Sequence, residues 1–278
     1  MNETIREETP ANPAELRSAL YAGDLFKLAP NATSLEMVAA VEQLLDVELG
    51  PEPRQAASRM TDEEHFERVG RIRKQLFLQP SYHELVFRLL ESLGQPRTGI
   101  AFDPLRLRCV LDGGHDNPRA RAVYYPHRDT WYGHPAALIT VWIPIYDLTA
   151  EETFVFYPER FTTPVPNNSE IFDYDEWVER GWGLKIGWQN RNAGIEARYP
   201  GVLGEVEPGP ALGFSCRRGE ILLFSGAQFH KTLPQRLGRT RFSLDFRFVS
   251  LADHEQGLGA PNVDSRSRGS ALRDYVRA

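Results

Sequence analysis

The stretch RFSLDFRF, residues 241–248, carries an aromatic or branched apolar side chain at every second position and a polar or charged one between. A period of two belongs to a β-strand, because successive side chains leave a strand on opposite faces. Phe242, Leu244, Phe246 and Phe248 take one face, and Arg241, Ser243, Asp245 and Arg247 take the other. The apolar face needs a hydrophobic layer, expected here from helices. The polar face needs a polar interior, as in a barrel or sandwich that encloses a chamber. A lone arginine in such an interior is costly unless an anion meets it. This one stretch therefore asks for a closed sheet with helices outside and an anionic ligand inside.

The rest of the chain supplies both layers. After a polar segment, 1–16, read as a disordered tail, residues 17–98 read as helical. EMVAAVEQLLDVEL has apolar residues at helical spacing, with Ser34 as its expected N-cap. TDEEHFERVGRIRKQLFL opens on Thr61 with acids in the first turn. SYHELVFRLLESLG opens on Ser81 with Glu84 three residues on, the pattern of a capping box, and closes on Gly94. From residue 99 to 252 short apolar or alternating runs follow one another between turns: RLRCVL, RAVYYPHRD, LITVWIPIYDL, TFVFYP, EILLFSG and TRFSLDFRFVS. That is the pattern of an antiparallel sandwich or barrel. The segment 158–210 interrupts it, with a short helix expected near residues 175–180, and reads as an insertion able to act as a lid. The polar segment 253–278 reads as a mobile tail. The whole is expected to be one domain.

Composition narrows the function. A net charge of −6 argues against a general nucleic-acid binder, and no basic run suits a membrane surface. No apolar run nears the roughly 18 residues that span a bilayer, and the acidic start MNETIREETPANPAEL does not read as a secretory signal. Two cysteines, Cys109 and Cys216, form neither a CxxC pair nor a disulfide framework. The expectation is a cytoplasmic protein with free thiols and a small-molecule partner.

Chemistry concentrates in YYPHRDTWYGHP, residues 124–135. If RAVYYPHRD is a strand, Tyr125, His127 and Asp129 share a face and Arg128 points away. One imidazole and one carboxylate are too few to hold an ion, and His230, just beyond EILLFSG, is the third candidate. Two His and one carboxylate on one side of an ion leave the other side open, which suits non-haem Fe(II). The kinase reading of HRD fails, since no Asp-Phe-Gly and no Gly-rich loop accompany it. The spacing of His127, His134 and a cysteine matches no common zinc module. A plain salt bridge between His127 and Asp129 remains the bland alternative.

At this point the chain resembles the Fe(II)/2-oxoglutarate-dependent oxygenases, and among them the phytanoyl-CoA dioxygenase-like family. The resemblance rests on HRD at 127–129, His230, Arg241 with Ser243, the run RRGEILLFSGAQFHKT and the run LITVWIPIYDLTAEETFVFYP, and covers about residues 100–250. It implies a double-stranded β-helix (a jelly-roll, cupin-like core), mainly β with flanking helices. It implies Fe(II) on His127, Asp129 and His230, with 2-oxoglutarate and O2 as co-substrates. Arg241 and Ser243 would grip the far carboxylate of 2-oxoglutarate, flanked by Thr140 and Trp142. Hydroxylation of a small or medium polar metabolite, as in bacterial natural-product biosynthesis, is the implied activity. Desaturation, cyclisation and epimerisation branch from the same chemistry. The chain departs from the family at YPERFTTPVPNNS, where many relatives carry a Pro-Gly-Ser-His turn. Tyr125, Trp131, His134, Asn190 and Arg191 are the expected substrate-pocket residues. Two rivals stay open: a cupin-like metal enzyme that does not use 2-oxoglutarate, and a non-catalytic jelly-roll binding module.

Overall fold

The computed structural model describes residues 5–117, 124–181 and 199–278. Its strands form two antiparallel groups facing each other. The larger sheet runs in the order β1 (Phe26–Leu28), β6 (Ile221–Ser225), β4 (Leu138–Pro144), β8 (Arg241–Ser250), β2 (Ile100–Phe102) and β9 (Val276–Arg277). Strand β3 (Arg106–Val110) pairs with the first half of β8, from Arg106 opposite Asp245 to Val110 opposite Arg241. The smaller sheet pairs β5 (Phe154–Phe156) with β7 (His230–Thr232). Single bridges widen it, His127 joining His230 on one side and Leu212 joining Phe156 on the other. The chain thus passes from β3 to His127, then β4, β5, Leu212, β6, β7 and β8, crossing between the sheets. That is the double-stranded β-helix.

Strand β8 lies at the centre of this arrangement, and all ten of its residues are buried. Its aromatic face joins one hydrophobic cluster with the helices. Phe242, Leu244, Phe246 and Phe248 pack with Val38, Val41 and Leu45 of α2 (Ala32–Leu49), Ile72 and Leu76 of α3 (Asp62–Leu78), and Val86 and Leu90 of α4 (Pro80–Ser92). Burial of several large apolar side chains at roughly 1.5–3 kcal/mol each makes this layer the main stabilising term. Helix α5 (Tyr174–Gly181) turns Tyr174 and Trp177 toward the interior cavity, and α6 (Leu251–Glu255) follows β8 directly. No helix among the described residues is long and apolar enough to cross a membrane.

Several local expectations change. The cap of α2 is Asn31, whose side chain accepts from Ser34 N while Ser34 Oγ accepts from Asn31 N, so Ser34 is the third residue of a capping box. Helix α4 starts one residue before Ser81, at Pro80, which suits a first helical position because it lacks an N–H. No capping box forms there. Thr61 does cap α3, accepting from Glu64 N at 3.2 Å. The segment read as a tail contains the start of α1 (Pro13–Tyr21), capped by Asn12, and Arg6 bridges to Phe26.

The other segment read as a tail is also held. The Asp264 side chain is 4% exposed and accepts from Arg128 Nε at 3.0 Å, Trp131 Nε1 at 2.8 Å and Val165 N at 2.9 Å. Arg128 is itself 1% exposed and donates further to the carbonyls of Ala227, Arg160 and Thr163. Asp264→Ala should therefore cost about 3–5 kcal/mol, because it strands a buried guanidinium. Urea unfolding checks this, and the double variant Arg128→Met/Asp264→Leu should recover much of the loss.

Candidate metal centre

The residues 124–129 do not form a strand. Pro126 has no N–H to give a ladder, and only His127 pairs, exchanging both backbone hydrogen bonds with His230 at 3.0 Å. Asp129 then opens a 3₁₀ turn, Asp129–Tyr132, which Gly133 ends at φ +72°. A Cβ at Gly133 would stand 2.9 Å from Cβ of Tyr174, so glycine is needed there on two counts. The bridge and the turn bring His127 and Asp129 to one point from different local structures. Their shared strand face, expected from the alternation, is not how they converge.

His127, Asp129 and His230 each offer one ligand atom within 4.8 Å of the others. His127 Nε2 lies 3.8 Å from Asp129 Oδ1, and the two imidazole rings are 4.4 Å apart. His127 Nδ1 is 2.8 Å from the Tyr125 carbonyl, and His230 Nδ1 is 3.0 Å from that of Gln228. A carbonyl can only accept, so each Nδ1 carries its proton and each Nε2 keeps a lone pair. Thr140 Oγ1 donates to Asp129 Oδ2 at 2.8 Å, and Arg247 donates to both oxygens of Asp129 at 3.2 Å. The electrostatics suit ligation. Burial, reinforced by His230, pushes the His127 imidazole down to about 3, and burial lowers that of His230. Burial alone would raise Asp129, but Arg247 and the two imidazoles hold its carboxyl well below the usual range. A cation therefore meets two neutral imidazoles and one carboxylate.

The three groups open on a cavity of about 480 Å3 that also touches Thr140, Trp142, His134, Arg241 and Arg247. Arg241 is 3% exposed. Its Nη1 donates to the carbonyls of Glu152 and Thr153 at 3.4 and 3.2 Å, and its Nε is buried without a partner. It makes no ion pair among the described residues, and burial beside Arg108 pushes it down to about 10. Arg239, its competitor for a ligand carboxylate, is tied to Glu152 through two 2.8 Å contacts.

Other expected residues fall elsewhere. Ser243 is fully buried behind Trp142, accepting from its Nε1 at 3.0 Å, and does not line the cavity. Thr140 donates to Asp129 and, with Trp142, stays on the cavity lining. Trp131 is packed in a separate cluster with Phe229 and Val165, its indole N–H taken by Asp264. Tyr125 is 48% exposed and turns away from the cavity lining. Asn190 and Arg191 lie outside the described residues. Arg247, on the polar face of β8, holds Asp129 without any local sequence signal for that part, and it also meets Asp103 at 3.2 Å. Tyr275, near the end of the sequence, had no signal at all.

No protein-family profile and no curated protein matches the chain. Among solved structures it is similar to the epimerase SnoN in complex with Fe3+, alpha ketoglutarate and nogalamycin RO (14% identity, 86% of this chain and 85% of that one, TM-score 0.45). It is similar to EvdO2 from Micromonospora carbonacea var. aurantiaca (15%, 88% and 93%, 0.44). It is also similar to AviO1 from Streptomyces viridochromogenes Tue57 (11%, 92% and 99%, 0.45). Values at this level leave the reading of the site to its own geometry.

The buried imidazoles set a pH dependence. His127 and His134 titrate near 3 in the fold, each chiefly through burial, against about 6.5 in an unfolded chain. Between those values the unfolded state binds more protons. Stability is therefore full above about pH 6.5 and falls as pH drops toward about 3. The thermal midpoint of chelator-treated protein should decline steadily from about pH 6.5 to about 4.5. A flat profile would contradict neutral burial of both rings.

Proposed function

We propose that this chain is a non-haem Fe(II)/2-oxoglutarate-dependent oxygenase acting on a small metabolite, in a tailoring step of the kind natural-product biosynthesis uses. The carrying observation is one cavity touched by two complementary features. One is the His127, Asp129, His230 cluster, an N,N,O donor set of the kind iron(II) takes with sites to spare. The other is Arg241, a buried guanidinium with an unpartnered Nε and no ion pair among the described residues. A dicarboxylate such as 2-oxoglutarate answers both, one end for the metal and one for the guanidinium. The residues present fit the group.

When bound, Fe(II) with 2-oxoglutarate and O2 supplies an oxidant strong enough to remove hydrogen from a C–H bond, with succinate and CO2 formed alongside. The chain does the rest. His127 and His230 present Nε2 lone pairs because backbone carbonyls hold their Nδ1 protons. Thr140 and Arg247 keep Asp129 ionised and oriented. Arg241 would fix the far carboxylate, against a wall of Trp142, Phe154 and Phe224 that excludes water. The retained carboxylate at Asp129 favours oxygen insertion or hydrogen removal over halogenation. Hydroxylation is the direct outcome, and desaturation, cyclisation and epimerisation use the same centre.

An anaerobic titration tests this. Fe(II) followed by 2-oxoglutarate should produce a weak visible charge-transfer band, and Arg241→Ala should raise the 2-oxoglutarate Kd by about 10–100-fold. Metal binding with no response to 2-oxoglutarate would favour a cupin-like enzyme, and folded protein that binds no metal would favour a binding module. Thr140→Val should weaken metal binding by about 10-fold, the lower end of outer-shell effects. Isothermal titration with Mn(II) reads that loss.

A further inference from the structure

The walls beyond the metal end limit what the substrate can be. Aromatic rings lead outward from His127. Tyr132 meets it edge-on at 5.6 Å, Phe172 meets Tyr132 at 5.6 Å, Tyr199 lies 6.3 Å from Tyr132, and Trp177 lies 6.1 Å from Phe172. All line the cavity, and such a wall receives the faces and edges of rings. The arginines beside it are already matched, and of the two further lining carboxylates Asp274 meets Arg273 at 3.8 Å while Asp62 is exposed. Arg247 is shared by Asp129 and Asp103, Arg108 grips Asp245 at 2.8 and 2.7 Å, and Arg106 meets Asp103 at 3.1 Å. Arg73 gives its Nε to the Leu107 carbonyl, and Arg241 is assigned to the co-substrate. An anionic substrate would find no counter-ion left over among these described groups.

Apart from His65 Nε2 and the Asp274 carboxylate, which faces Arg273 at 3.8 Å, what is left over is a set of donors. Arg106 Nε and Trp177 Nε1 are buried without a partner. His134 lines the cavity, and its Nδ1 lies 2.9 Å from Tyr275 Oη. Burial keeps the Tyr275 hydroxyl protonated and the His134 ring neutral. Tyr275 Oη has no other hydrogen-bond partner among the described residues, which favours its proton going to Nδ1. With the proton given that way, the neutral ring carries its own on Nε2, which makes no hydrogen bond among the described residues.

We propose that the substrate is an uncharged ring compound bearing a carbonyl, ether or hydroxyl oxygen, and that His134 Nε2–H donates to that oxygen. Tyr275 is the positioning residue that fixes the tautomer. The proposal rests on reading this cavity as the substrate chamber of the oxygenase.

Binding to the metal-free full chain, followed by tryptophan fluorescence, tests it with three probes of one skeleton: α-tetralone, tetralin and tetralin carboxylate. The tetralone should bind about 10-fold tighter than tetralin, the value of one good hydrogen bond, and tighter than the carboxylate. His134→Phe should abolish the tetralone advantage while tetralin affinity stays within about 2-fold, which a general loss of packing would not allow. Tyr275→Phe, which lets the proton move between the two nitrogens, should cut the advantage to about 3-fold. Tightest binding of the carboxylate, an advantage that survives His134→Phe, or no binding of any probe would overturn the proposal. The Fe(II)/2-oxoglutarate band, read separately, tells such a failure from a failure of the oxygenase reading.

Discussion

Arg247 stands between Asp129 and Asp103, and the centre depends on that contact. A carboxylate as buried as Asp129 would ordinarily take up a proton, since burial in low dielectric disfavours its charge. Protonated, it would be a poor metal ligand. Arg247 reverses this by donating to both carboxylate oxygens. Its own burial is tolerable because Asp103, Asp129 and Asp245 all raise its charge affinity. Buried ion pairs seldom add net stability. This one is better understood as keeping the Asp129 carboxylate charged.

The same strand joins that contact to the rest of the fold. In β8 the residues before and after Arg247, Phe246 and Phe248, lock into the helical layer, so the guanidinium cannot retreat without disturbing the core. Two residues back Asp245 anchors Arg108 of β3, and six back Arg241 reaches the deep end of the cavity. One strand thus carries a hydrophobic core on one face and the polarity of the chamber on the other, at a spacing that its pleat sets.

Features encoded by local pattern were legible from sequence. The alternation of 241–248, the apolar run of β4 and the Thr61 cap each act within a few residues, and each appears where pattern places it. His127, Asp129 and His230 were also picked out, although the strand invoked to align the first two is a bridge and a turn. What pattern could not carry was partnership across the chain. Trp131 looked like a pocket residue until Asp264, more than a hundred residues on, took its N–H. Ser243, expected against the co-substrate, instead accepts from Trp142 and stands off the cavity, while Thr140 lines it with its proton given to Asp129. Tyr275 had no pattern to betray it, because its meaning comes wholly from His134.

The last stretch of the sequence closes the centre from two directions. Asp264 braces Arg128 and Trp131, on either side of Asp129, while Tyr275 reaches into the chamber itself. A ribosome makes helices α1 to α4 before these residues. Until they emerge, Arg128 lacks its carboxylate and the chamber lacks its far wall. The helices can therefore form while the chamber stays unfinished, so that a metal at His127, Asp129 and His230 would be enclosed only once the walls around it exist.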